Sequence, residues 1–236
     1  MTVQHFDVKS LAEYLHLRPE QVLKLVERGK IPGRKVGGQW RFSEAEIHRW
    51  LEERIGLADD AELASWESTF ADSRHAESHC PPGLAHLLPK EAVAVPLEAR
   101  TRDGVLRAMV DLAARTGWVW DAEGVREAVR AREALCPTAQ DNGVALLHPR
   151  RPMPSVLERP FLALGRTLSG VPFGGSRSGL TDVFFLILSF NERQHLCTLA
   201  RLSRLIGSEG FLEGLRAAED SEAAWRWFIN ADKALD

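Results

Sequence analysis

Apolar positions along the chain fall into three successive patterns. Near the N-terminus, Val8, Leu11, Ala12 and Leu15 lie at i, i+3, i+4 and i+7, the stripe of a short amphipathic helix. Pro19 suits the first turn of a second helix. Val22, Leu25 and Val26 repeat the spacing, and Gly29 is its stop. Gln21, Lys24 and Arg28 then fall on the outer side. Lys35-Val-Gly-Gly-Gln-Trp-Arg-Phe42 reads as two short strands around a Gly-Gly turn. Ser43 with Glu46 forms a capping box for a third helix that buries Ile47, Trp50 and Leu51.

Beyond this the pattern weakens and then changes kind. Leu63, Trp66 and Phe70 keep helical spacing inside a polar stretch that closes in Cys-Pro-Pro-Gly, so it reads either as a short docking helix or as a spacer. From Leu84 helical patterns alternate with short apolar runs, which predicts an α/β domain. The helices are expected over 103–116, 124–135, 194–206, 208–218 and 221–231. Strands are expected over 143–147, 161–165 and 182–188, the last with the unbroken apolar run of a central strand. The fold class is therefore an α/β C-terminal domain, a mixed sheet with flanking helices, preceded by a small, mainly α winged helix-turn-helix domain.

Charge sharpens this division. The 236 residues carry a net charge of −3, yet residues 18–41 hold seven Lys/Arg against two Glu, while 57–82 holds six Asp/Glu against Arg74. Three units follow: 1–56, an acidic linker over 57–82, and 83–236. A polar start and the lack of a long apolar run predict a cytoplasmic protein without membrane insertion. Cys80, Cys136 and Cys197 are far apart and odd in number. That predicts neither a disulfide framework nor a metal site, and leaves them as small apolar residues.

Two short helices joined by a tight turn can place the second in a DNA major groove. The segment Phe6 to Leu51 also resembles the winged helix-turn-helix of the excisionase and MerR-like family. The matching features are L-A-E-Y-L-H-L-R-P-E-Q-V, R-G-K-I-P, K-V-G-G-Q-W-R-F and the final W-L. The resemblance implies that Arg18, Gln21, Lys24 and Arg28 face bases or phosphates and that Lys35, Gln39 and Arg41 of the wing contact the DNA backbone or minor groove. A lone module of this small charge binds weakly, so a homodimer on paired half-sites or a second protein is expected to hold it on DNA.

In the C-terminal unit the ordered motifs are A-R-E-A-L-C-P-T-A-Q-D-N-G-V-A-L-L-H, E-R-P-F-L-A-L-G-R-T-L-S-G-V-P-F-G, T-D-V-F-F-L-I-L-S and H-L-C-T-L-A-R-L-S-R-L-I. They resemble the enzyme IIA domain of the phosphotransferase system, in its mannitol/fructose and nitrogen-related branch. By that resemblance His148 accepts a phosphoryl group from an HPr-type phosphocarrier protein and His195 hydrogen-bonds it. Arg132 and Thr138 match further site positions, and no cofactor is implied. A neutral imidazole is a competent nucleophile, and phosphoryl transfer chiefly needs cations and donors facing the phosphoryl oxygens.

One departure stands out. The family reads Ile-Pro-His-Gly at the acceptor, whereas this chain reads Leu146-Leu147-His148-Pro149, and Pro149 removes an N–H where glycine allows a close approach. The expectation is a DNA-binding transcriptional regulator that senses the phosphotransferase system through His148. The alternatives are a phosphocarrier component of that system and a regulator that binds partners without being phosphorylated.

Overall fold

The computed structural model describes residues 5–15, 17–55, 61–64, 83–174 and 179–235. In the N-terminal module β1 (His5–Phe6) leads into α1 (Val8–Tyr14) and α2 (Pro19–Glu27), followed by β2 (Arg34–Val36), β3 (Gln39–Ser43) and α3 (Glu44–Ile55). Asp7 caps α1 by accepting from the Ser10 amide at 2.8 Å, and Pro19 starts α2 where a missing N–H costs nothing. β2 and β3 pair antiparallel with Val36 opposite Gln39, and β1 adds on the far side of β3, in the order β1-β3-β2. Gly37 and Gly38 both have positive φ, 60° and 80°, the backbone of a two-residue turn that side chains resist. The wing is as the sequence predicts. The two-residue β1 is too short to leave a periodic trace in sequence.

The C-terminal domain follows with β4 (Val93–Ala94), α4 (Arg102–Ala114), α5 (Ala122–Leu135), β5 (Val144–Leu147), β6 (Phe161–Pro172), β7 (Leu180–Leu188), α6 (Glu192–Gly207), α7 (Phe211–Ala217) and α8 (Ser221–Ala234). The sheet order is β4-β6-β7-β5, with β4/β6 and β5/β7 parallel and β6/β7 antiparallel, so the sheet is mixed as expected. β6 runs seven residues past the predicted end at Gly165. Its extension is a hairpin arm with a register shift between Arg166 and Val171, and its exposed Leu168 shows no alternation to read.

Strand alternation builds three layers. Val183, Phe185 and Ile187 of β7 face α6, α7 and α8, while Phe184, Leu186 and Leu188 face α4 and α5. Each fully buried Phe or Leu contributes roughly 1.5–3 kcal/mol, so β7, buried on both faces, anchors the domain.

The two domains share one apolar core. Ile47, Leu51 and Ile55 of α3 are 0–2% exposed and join Leu196, Leu199 and Leu202 in a single cluster, with α3 packed on α6. Residues 61–64 are helical and Leu63 is buried in that cluster, whereas Trp66 and Phe70 lie outside the described residues. The cysteine expectation needs correction. Cys197 is disulfide-bonded, while Cys136 is free and exposed, because separation along a chain does not limit separation in space.

Candidate functional site

Alternation also aims the histidine. Val144 and Leu146 of β5 belong to the α6 face, so His148, two residues beyond Leu146, continues onto that face at the carboxyl end of the strand. The Asn142-Gly143 turn that starts β5 is anchored. Gly143 has φ +84°, the Val144 amide donates to Asn142 Oδ1, and Arg216 donates to the Asn142 carbonyl while pairing with Asp182 of β7. Opposite, Asn191 caps α6 by accepting from the Gln194 amide, and His195 sits one turn into that helix.

The two imidazoles meet at 4.7 Å between centroids and are 2% and 7% exposed. His148 Nδ1–H donates to the Leu146 carbonyl at 2.8 Å, which leaves the Nε2 lone pair free to act as a nucleophile or acceptor. Arg132, in the last turn of α5, donates from Nε to that nitrogen at 3.1 Å and from Nη1 to the Cys136 carbonyl at 2.9 Å. His148, His195 and Arg132 therefore converge. Thr138 lines the same groove as His148, and its Oγ1 is buried without a hydrogen-bond partner among the described residues. Pro149 is buried beside His195 and Glu52.

Two residues of the site went unnoticed in the sequence. Glu133, 1% exposed, accepts from Arg102 and from the Thr138 amide, and so ties α5 to the loop that carries Thr138. Glu52 comes from α3 of the other domain. Its Oε2 lies 3.4 Å from His148 Nε2 and 3.3 Å from Arg132 Nη2, and its Oε1 lies 3.5 Å from His195 Nε2. The helical period puts Glu52 beside the Leu51/Ile55 stripe, but nothing in sequence separates it from the adjacent Glu53.

Burial pushes the Glu52 carboxyl up, but its close contacts with His148 and His195 outweigh that and hold the group well below the carboxylate range, so it is ionised. Burial pushes His195 below its ordinary 6.5, with His148 and Arg132 adding to the fall and Glu52 opposing it. Followed by NMR, the His195 ring is expected to titrate below 6.5, and a midpoint above that value would mean the carboxylate outweighs burial. A lowered folded value means that the folded state binds fewer protons. This contribution to stability is thus complete above about 6.5 and lost as pH falls, the same direction as that of Glu52 further into acid.

Glu52, His148 and His195 each present one ligand atom, all within 4.8 Å of one another, a spacing a cation could use. Arg132 already donates to two of these atoms, so a metal would have to displace a guanidinium.

On the N-terminal module Arg18, Gln21, Lys24 and Arg28 are exposed along α2, as are Lys35, Gln39 and Arg41 on the wing. The side chains of three of the seven are partly engaged: Gln21 Oε1 accepts from the Arg18 amide, and Gln39 Oε1 accepts from the Arg41 guanidinium. Lys35 lies over the Trp40 ring. Docking of α3 on α6 leaves this basic face open.

A buried histidine pair with a guanidinium thus stands at the carboxyl edge of a mixed sheet, in a protein that also carries a winged helix-turn-helix module. The family model "Phosphoenolpyruvate-dependent sugar phosphotransferase system, EIIA 2" matches residues 86–231, and the model "Helix-turn-helix domain" matches 6–55. The chain belongs to that EIIA 2 family and carries a helix-turn-helix domain ahead of it. It is similar to the PTS system fructose-specific EIIABC component of Bacillus subtilis (strain 168), 28% identical over 59% of this chain and 22% of that protein. The chain thus spans about a fifth of that relative. It is also similar to the nitrogen regulatory protein of Bradyrhizobium diazoefficiens, 29% identical over 60% of this chain and 92% of that one. Among solved structures, nitrogen regulatory protein IIA-Ntr from Neisseria meningitidis shares the fold with a TM-score of 0.54 at 22% identity, covering 61% of this chain and 97% of that one. IIA mannitol from Escherichia coli does so with 0.53 at 18% identity, covering 59% and 97%. The helix-turn-helix suggests DNA binding, and the EIIA domain suggests a phosphotransferase-system or nitrogen-regulatory function. Among the described residues no helix is long and apolar enough to cross a membrane.

Proposed function

We propose that the protein is a cytoplasmic transcriptional regulator whose EIIA domain senses the phosphotransferase system by accepting a phosphoryl group on His148, with units over 1–56, 57–82 and 83–236. The observation that supports this most is the unprotonated Nε2 of His148, set by the Nδ1–H bond to the Leu146 carbonyl and accepting from Arg132 Nε at 3.1 Å. The donor is an HPr-type carrier bearing a phosphohistidine. Its P–N bond breaks with the electron pair returning to the carrier's nitrogen, while the Nε2 lone pair forms the new N–P bond. Nδ1 keeps its proton against the Leu146 carbonyl, so no proton has to leave. Arg132 and His195 face the phosphoryl oxygens, and Thr138 lines the pocket.

On DNA, Arg18, Gln21, Lys24 and Arg28 read the major groove, while Lys35, Gln39 and Arg41 hold the backbone or minor groove of paired half-sites bound by a homodimer. The test is incubation with phosphoenolpyruvate, enzyme I and HPr-type carriers, read by intact mass for wild type and His148→Ala. One added phosphoryl group in the wild type and none in the variant is the expected result. Operator affinity measured with and without it then reports the coupling, and equal affinities would refute sensing.

A second reading, a partner-binding regulator that is never phosphorylated, draws on Pro149, which offers no N–H beside the acceptor. Absence of a mass gain with every carrier selects it.

A further inference from the structure

Four observations bear on Glu52. It is the one charged side chain described here that the DNA-binding module places against both histidines of the other domain, 11% exposed and within 3.3–3.5 Å of Arg132, His148 and His195. Its Oε2 stands 3.4 Å from His148 Nε2, the nitrogen proposed above as the acceptor, so it takes up space that a group bonded to that nitrogen would need. His195 Nε2 is buried and lacks a hydrogen bond of ordinary geometry among the described residues, the condition of a donor set for an anion that the carboxylate only partly satisfies. Finally, Glu52 lies between Leu51 and Ile55, whose apolar face seats α3 on α6, so it cannot withdraw far without disturbing that packing.

Resting on the phosphoacceptor reading above, we propose that Glu52 is an internal stand-in for the phosphoryl group. It pins the DNA-binding module to the EIIA domain while His148 is unmodified, and phosphorylation of Nε2 expels it and releases the module. The two anions compete for one set of donors, because Arg132 and His195 cannot serve a carboxylate and phosphoryl oxygens in the same volume. Once the phosphorus is bonded to Nε2, its oxygens add negative charge against the Glu52 carboxylate at contact distance, in a site nearly closed to water. The carrier protein needs the same space to deliver its phosphoryl group, so the docked state also shields His148. Because the basic face of α2 stays exposed when α3 is docked, release does not uncover the DNA-reading surface. It changes how rigidly and in what orientation two such surfaces are held, and that sets their fit to paired half-sites.

The full-length chain tests this with Glu52→Gln, nearly isosteric and uncharged, and Glu52→Ala. Hydrogen exchange of unphosphorylated protein is expected to show the α3 and α6 amides exchanging about tenfold faster in both variants, with β7 unaffected, a size typical of coupling between sites. Phosphorylation of the wild type should produce the same change, and both variants should accept phosphoryl groups about tenfold faster than wild type. Unchanged exchange in both variants, or labelling of wild type and variants at equal rates, overturns the stand-in role and leaves the phosphoacceptor reading intact. No labelling of any of the three overturns both. If Glu52→Ala alone loses the β7 protection it has failed to fold, and Glu52→Gln decides.

Discussion

In a Glu52→Gln background, Arg132→Ala is expected to accept a phosphoryl group from the carrier about 10²–10³-fold more slowly than the parent, the usual cost of removing one preorganised donor from a charge-developing site. Arg132 is well placed for such a loss. Its Nη1 is fixed to the Cys136 carbonyl at the end of its own helix, and its Nε stands 3.1 Å from His148 Nε2. A planar, permanently charged fork can meet two phosphoryl oxygens as they separate from the carrier, and lysine cannot reproduce that geometry, so Arg132→Lys should recover only part of the rate. The background matters. In the wild type, loss of Arg132 also strands the Glu52 carboxylate and opens the pocket, an effect of opposite sign. The check is single-turnover labelling by intact mass, with circular dichroism to verify the fold. A rate within about threefold of the parent would remove Arg132 from the transition state.

The largest effect on stability is expected at the far side of α6. Asp232 is 2% exposed and accepts from Arg201 Nε at 2.7 Å and from the Leu84 and Ala85 amides at 2.7 and 2.8 Å, joining α6, α8 and the chain entering the domain. Asp232→Ala removes the carboxylate that pairs with the buried Arg201 guanidinium and the acceptor of two amides. Breaking a buried pair from one side costs about 3–5 kcal/mol. For a chain of this size that lowers Tm by roughly 6–20 °C. Asp232→Leu combined with Arg201→Met removes both charges and should cost clearly less than the single change. Thermal unfolding followed by circular dichroism measures both, and a drop of less than about 2 °C in Asp232→Ala would refute the assignment.

Much of this molecule is legible without coordinates where a local rule has no rival. Val183 to Leu188 can be a strand buried on both faces because every residue is apolar. The wing follows from Gly37-Gly38, since few other pairs accept two positive φ values. His148 at the end of β5, and its facing α6, follow from the Asn142-Gly143 turn and strand alternation. The hairpin arm of β6 escaped because Leu168 and Ser169 are both exposed and therefore keep no alternation. The bonding of Cys197 escaped because spacing along the chain says nothing about a return path in space.

The sequence by itself determined the two kinds of domain, the central strands and the turn chemistry, while His148, His195 and Arg132 were named together by the resemblance to the enzyme IIA family. Each of these rests on short-range periodicity or on an ordered motif. Only the tertiary structure decided that Glu52 enters the histidine site. That contact joins residues 52, 132, 148 and 195 from four separate elements. It depends on the angle at which α3 lands on α6, a quantity set by how Ile47, Leu51 and Ile55 fit the α6 side chains and carried by no local pattern.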